Sequence, residues 1–139
     1  MAVILNIETS TTVCSVSIGI NGKISSVKEV NDGYSHAEQL EQLIQSVLKE
    51  SGLGIKDLQA VSVSKGPGSY TGLRIGVSLA KGLCYGAKIP LLSVPTLEAM
   101  AYNPKLSDYK TTNLVPMLDA RRMEVYAAVY DKNYQQILY

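Results

Sequence analysis

Asn21-Gly22 stands between two runs of alternating apolar and polar residues, and it narrows the possible folds of this chain more than any other feature. Both residue types tolerate positive φ, so the pair predicts a two-residue hairpin. Ahead of it, Cys14, Val16, Ile18 and Ile20 alternate with Val13, Ser15, Ser17 and Gly19, the period of a strand. Behind it, 23–30 returns as a further strand. Residues 3–8 (VILNIE) form a short apolar run that predicts a buried first strand, joined to the next by the polar turn 9–12. The chain is therefore expected to open as an antiparallel meander.

The period then changes. Ala37, Leu40, Leu43, Ile44, Val47 and Leu48 recur at helical spacing over 35–50. Ser35 with Glu38 forms a capping box before them, and Ser51-Gly52 ends the run. AVSVS at 60–64 predicts a buried strand that enters the glycine-rich segment 65–72. A helix is expected over 73–85 with Thr71 as its cap. A strand follows at 91–94, then a helix over 96–102 with Pro95 in its first turn. The order βββαβαβα predicts an α/β fold: a mixed five-stranded sheet whose first three strands are antiparallel, covered by helices.

Residues 103–112 are polar and linker-like, and strands are expected at 114–118, 125–130 and 135–139 with a tight connection at 131–134. ILNIETSTTVCSVSIGING and VPMLDARRMEVYAAVYDKN share a plan. Each is an apolar strand ending in an acid (Glu8, Asp119), then a polar turn, an alternating strand and a tight turn. Two hairpins can agree by chance; an internal duplication instead divides the chain into a domain at 1–103 and the opening strands of a second, similar domain at 104–139. On that division the chain is expected to be the N-terminal part of a longer two-domain protein.

Charge excludes some functions. With 13 basic and 12 acidic residues the net charge is +1, without the basic excess of a protein that binds nucleic acid alone. Cys14 and Cys84 are far apart with no CxxC spacing and are expected to be buried free thiols in a reducing cytoplasm. No leader pattern opens the sequence, and no apolar run reaches membrane-spanning length.

Four features are candidates for chemistry or contact. Gly66, Gly68 and Gly72 lie between a strand and a helix, where backbone N–H groups can cradle an anion, yet neither the Walker nor the dinucleotide spacing is met. A structural turn is the competing reading. In the following helix, Gly72, Gly76 and Ala80 form one ridge of small residues and Ser78, Gly82 and Gly86 another. Each glycine costs the helix about 1 kcal/mol relative to alanine, so something is expected to approach closely: the protein's own sheet on one side, another chain on the other. Glu8-Thr9-Ser10-Thr11-Thr12 is either a polar hairpin turn or a degenerate phosphate loop. His36 is the sole histidine, so no His/His metal pair can form, and no G-x-S-x-G elbow supports a peptidase triad.

GPGSYTGLRIG at 66–76 resembles the signature of the TsaB family, and IETSTTVCSVSIG, SHAEQL and LDARRMEVY resemble its other landmarks in the same order. The resemblance covers essentially the whole chain. It implies an actin-like ATPase (ribonuclease H-like) fold and a non-catalytic scaffold subunit with no catalytic or metal-binding residue of its own. Its partner would be a TsaD-like catalytic subunit, with a TsaE-like ATPase in the complex that forms N6-threonylcarbamoyladenosine on tRNA. Contact with tRNA would be indirect, no membrane would be involved, and a homodimer would form when the catalytic subunit is absent. TsaD carries a His-x-x-x-His metal motif on its first helix; here Leu40 stands where the second histidine would follow His36. The first two helices would form the partner face through His36, Leu40, Leu43, Ile44, Val47, Leu73, Arg74, Gly76, Val77 and Ala80. Arginine at Leu43 or Gly76 is then expected to abolish pairing and spare the fold. No cofactor would be bound by the chain alone, with ATP or ADP held only at the level of the complex. The alternative is an actin-like ATPase or sugar-kinase-like enzyme using Glu8, Ser10, Thr11 and Thr12 around Mg-ATP.

Overall fold

The computed structural model of the chain describes residues 1–32, 36–106 and 113–138. Three strands, β1 (Val3–Glu8), β2 (Cys14–Ile20) and β3 (Lys23–Val30), form the antiparallel meander, and Asn21 and Gly22 close its hairpin with φ of 50° and 79°. Helix α1 (His36–Ser51), strand β4 (Ala60–Ser64), helix α2 (Tyr70–Ala87), strand β5 (Leu91–Val94) and helix α3 (Thr96–Ala101) follow. The sheet order is β3-β2-β1-β4-β5, with β4 parallel to both β1 and β5. This is the mixed five-stranded α/β sheet that the element order predicts.

Period-2 burial in β1 and β2 sets up the layers. Val3, Leu5 and Ile7 turn to one face with Cys14, Val16 and Ile18. Against them pack Leu40, Ile44, Val47 and Leu48 of α1 and Ala80 and Cys84 of α2, in one continuous core. Both helices therefore cover the same face of the sheet. Each returns between strands that point the same way, β3 to β4 and β4 to β5, so α1 and α2 run in the same direction. The opposite face carries Asn6, Glu8, Ser15, Ser17, Ser62 and Ser64, bordered by Glu98 and Tyr102 near α3.

Several boundaries differ from expectation for local reasons. Helix α2 begins three residues early because Ser69, not Thr71, is its N-cap: the Ser69 hydroxyl accepts the Gly72 N–H at 3.3 Å. Pro95 is the N-cap of α3 rather than a residue of its first turn. The expected cap Ser35 lies outside the described residues, as does most of the expected linker, at 107–112.

Beyond the linker, the three expected strands are five short ones: β6 (Asn113–Leu114), β7 (Met117–Arg121), β8 (Glu124–Ala127), β9 (Val129–Asp131) and β10 (Gln136–Leu138). The break at 115–116 falls at Pro116, which has no N–H for a ladder; its carbonyl instead accepts the N–H of Ala128, where the opposing run also divides. As a result β7 pairs with β8, while β9 sits between β10 and β6. A second, smaller core joins Ala128 and Tyr130 to Leu97 and Ala101 of α3. Tyr102 and Tyr134 stack beside it with ring centroids 4.2 Å apart.

Candidate functional site

The residues after β1 and the glycine-rich turn before α2 are locked to each other. Thr9 is fully buried and its hydroxyl donates to the Gly72 carbonyl at 2.7 Å. The Ser10 carbonyl accepts the Ser69 N–H at 2.6 Å. Gly68 has φ of 157°, and a Cβ there would overlap the Ser10 carbonyl. Gly76 packs on Thr9 so closely that a Cβ would overlap the Thr9 hydroxyl. The glycine segment is thus a structural turn, and the ridge Gly72–Gly76–Ala80 is small because its own chain presses on it.

That geometry corrects several expected partner contacts. Leu40, Ile44, Val47, Gly76 and Ala80 are buried in this chain's own core and have no side-chain surface to offer. The helical period that singles them out is the period of burial. Leu43 and Val77 are half-buried against the same core, and Leu73 is half-buried beside Gly66. Arg74 alone of the set is exposed, its guanidinium 5.4 Å from the centroid of the Tyr70 ring, a cation–π distance. His36 opens α1, and its side chain lies outside the described residues. Arginine at Gly76 would break the contact with Thr9 and disrupt the fold itself.

The outward surface of the two helices is different. A groove of about 430 Å³ runs between them, lined by Ala37 and Glu41 of α1 and by Thr71, Arg74, Ile75, Ser78 and Leu79 of α2. Along α2 the second small ridge faces outward: Ser78, Gly82 and Gly86 are exposed, and an added Cβ at Gly82 or Gly86 would meet nothing within 4 Å. Tyr70 and Tyr85 are 74% and 90% exposed on the same helix. Tyrosine and arginine around a shallow apolar groove are the composition of an interface core. Sequence periodicity missed Tyr70, Ile75, Leu79 and Tyr85 because it selects the inward arc; the signal that could have found them is the large apolar residues left over on the other arc.

The second candidate site is at Glu8. Its carboxylate accepts the Ser10 N–H at 2.7 Å through Oε1 and the Ser64 hydroxyl through Oε2. Ser10 is 2% exposed, and its hydroxyl has no hydrogen-bond partner. Thr11 Oγ1 accepts the Val13 N–H at 3.3 Å, and Thr12 faces solvent. Glu8 lines the groove on the polar face of the sheet, of about 590 Å³, whereas Ser10, Thr11 and Thr12 are not among its walls. The expected set is thus split: an acid already engaged by two donors, a buried hydroxyl, and two threonines on the turn. Among the described residues no three His, Cys, Asp or Glu side chains group as metal ligands. No helix among them is long and apolar enough to cross a membrane. Cys14 and Cys84 are free and buried, and burial pushes both thiols above the ordinary range.

Comparison with known proteins agrees with this architecture. The family model described as "TsaD: tRNA N6-adenosine threonylcarbamoyltransferase" matches residues 32–138. The tRNA threonylcarbamoyladenosine biosynthesis protein TsaB of Escherichia coli is 35% identical over 130 residues, 94% of this chain and 55% of that protein. The protein of the same name from Bacillus subtilis is 40% identical over 96 residues, 69% of this chain and 41% of that protein. The chain thus spans about half the length of these relatives. Among solved structures, YeaZ from Pseudomonas aeruginosa superposes with a TM-score of 0.86 at 27% identity, covering 100% of this chain and 65% of that one. The fold is of the actin-like, ribonuclease H-like kind. The chain belongs to the TsaB family, within the broader family that the TsaD model describes.

Proposed function

We propose that this chain serves in tRNA threonylcarbamoyladenosine formation as a non-catalytic scaffold subunit, docking a TsaD-like catalytic subunit on the outer face of α1 and α2. The observation that carries the reading is the outer arc of α2. A helix with two open glycines, two highly exposed tyrosines and a groove at its flank presents a surface shaped for close approach. Helices pack at interaxial distances of about 8–10 Å, and small side chains favour the near end of that range. The enclosing assembly would include a TsaE-like ATPase, with tRNA held by the partner. Within this reading, 1–103 is the docking domain and 104–139 the start of a second one.

Co-purification tests it. A TsaD-like subunit co-expressed with the chain should elute with it as one species in size exclusion, and Gly82→Leu should separate the two while leaving the far-UV circular dichroism unchanged. Separate elution of the two wild-type proteins at concentrations of tens of micromolar would overturn the docking reading.

The orphaned, buried Ser10 hydroxyl beside Glu8 favours a second reading, an actin-like ATPase or sugar-kinase-like enzyme. Saturable binding of Mg-ATP to the chain alone by calorimetry, lost in Glu8→Ala, would establish it. Binding that requires the TsaD-like subunit would instead place the nucleotide at the level of the complex.

A further inference from the structure

The α1–α2 face is electrically two-sided. Helix α2 contains Arg74 and Lys81, ends on Lys88 as its C-cap, and has no acidic residue along its length. Helix α1 contains Glu38, Glu41 and Glu50 against Lys49, and Glu50 is engaged by Lys28 at 2.8 Å, which leaves Glu38 and Glu41 as the unshared charge of its N-terminal half. Glu41 and Arg74 line opposite walls of the same groove and so stand at the same height along two helices that run in the same direction.

Symmetry turns this asymmetry into a choice of geometry. When a face pairs with a second copy of itself, the dyad lies in the plane of contact. A dyad perpendicular to the helices would set α1 on the partner's α1 and α2 on the partner's α2, like charge on like. A dyad parallel to the helices leaves heights unchanged and exchanges left for right, so that each α1 crosses to the partner's α2. Only the second places an acidic wall on a basic one, and it does so twice per dimer.

We propose that the chain pairs with a second copy of itself about a dyad parallel to α1 and α2, with Glu41 of each copy against the partner's Arg74, and with the open side of α2 at Gly82 and Gly86 allowing the helices to close. The inference rests on the reading of this face as a docking surface; it adds which helix meets which, and the two residues that decide it.

Sedimentation equilibrium on the wild-type chain, Glu41→Lys, Arg74→Glu and the double variant tests the geometry, with thermal melts to verify folding. Each single reversal sets two like-charge contacts in the dimer and should weaken it by roughly 10- to 100-fold. The double variant restores both contacts and should recover most of the wild-type affinity, and raising salt through a Debye length of about 8 Å and below should weaken the wild type and the double variant alike. Single reversals that dimerise as tightly as the wild type, a double variant no better than the singles, or a wild-type chain that stays monomeric would each overturn the proposed geometry. Gly82→Leu separates this failure from that of the docking reading. If the reversals fail but Gly82→Leu abolishes both self-pairing and capture of a TsaD-like subunit, the face docks in another geometry. If Gly82→Leu disturbs neither, the docking reading falls with it.

Discussion

Alanine placed at two glycines of the same helix should move stability in opposite directions. At Gly82 an added methyl meets no atom within 4 Å, so Gly82→Ala gains helix propensity, about 1 kcal/mol, with nothing to oppose it. At an unfolding entropy of about 2.1 cal/mol/K per residue, a chain of 139 residues shifts its Tm by about 3 °C per kcal/mol. Gly82→Ala should therefore melt about 3 °C higher. Gly76→Ala gains the same propensity but drives its methyl into the Thr9 hydroxyl. Thr9 is fully buried and donates to the Gly72 carbonyl at 2.7 Å, so displacing it leaves buried polar groups unpaired, at about 1–3 kcal/mol. Forcing a methyl into packed space adds about 1–3 kcal/mol. Net of propensity, Gly76→Ala should lose about 1–5 kcal/mol and melt about 3–15 °C lower. Circular dichroism melts followed at 222 nm, with urea titration as a second measure, read both variants. Thr9→Ala combined with Gly76→Ala should be more stable than the sum of its parts by about 1 kcal/mol or more, since the two changes relieve each other. A Gly76→Ala variant that melts at or above the parent would refute the claim that this ridge is small because the chain presses on itself.

Ser69→Ala should lose the N-cap of α2, about 1 kcal/mol and about 3 °C, whereas Thr71→Ala should stay within about 0.5 kcal/mol of the parent; equal effects in thermal melts would contradict the capping geometry. Leu40→Ala should cost about 2–5 kcal/mol in urea unfolding, and a surface-like loss under about 0.5 kcal/mol would show that Leu40 does not face the core. Burial raises the Cys14 and Cys84 thiols, so less thiolate exists at pH 7 than for a free thiol. Both should react slowly with Ellman's reagent in the native chain and promptly in urea, and native reaction as fast as that of glutathione would contradict it.

The sheet was legible because each of its elements carries an unambiguous local signal. Asn21-Gly22 announces the first hairpin, alternation from Cys14 to Ile20 fixes which face of β2 is inside, and the recurrence from Leu40 to Leu48 marks α1. The region after the linker was less legible because its strands are divided by tertiary pairing. Pro116 removes a donor, and the run from Val125 to Tyr130 then serves two different sheets, a division that no propensity at Ala128 foretells. The cap of α2 was misplaced for a related reason. Both Ser69 and Thr71 can cap a helix, and the contact of the Ser69 N–H with the Ser10 carbonyl, set by residues far away in sequence, helps decide between them.

The docking face poses a harder problem, and its solution is general. Helical periodicity finds the residues that a helix buries in its own domain, so a list of contacts drawn from it names the wrong arc: Leu40, Ile44 and Val47 are already used. A surface for another chain has to be sought among residues that periodicity leaves out, where bulk or its absence lacks an internal cause. Gly76 and Gly82 look alike in sequence, six residues apart in one helix. Only packing tells them apart: Thr9 accounts for the first, and nothing within the chain accounts for the second. A glycine that weakens its helix by about 1 kcal/mol and touches nothing is either tolerated by accident or kept small for a visitor. The exposed Tyr70 and Tyr85 on the same helix favour the visitor, because large amphipathic rings and missing side chains are the two complementary halves of a close contact.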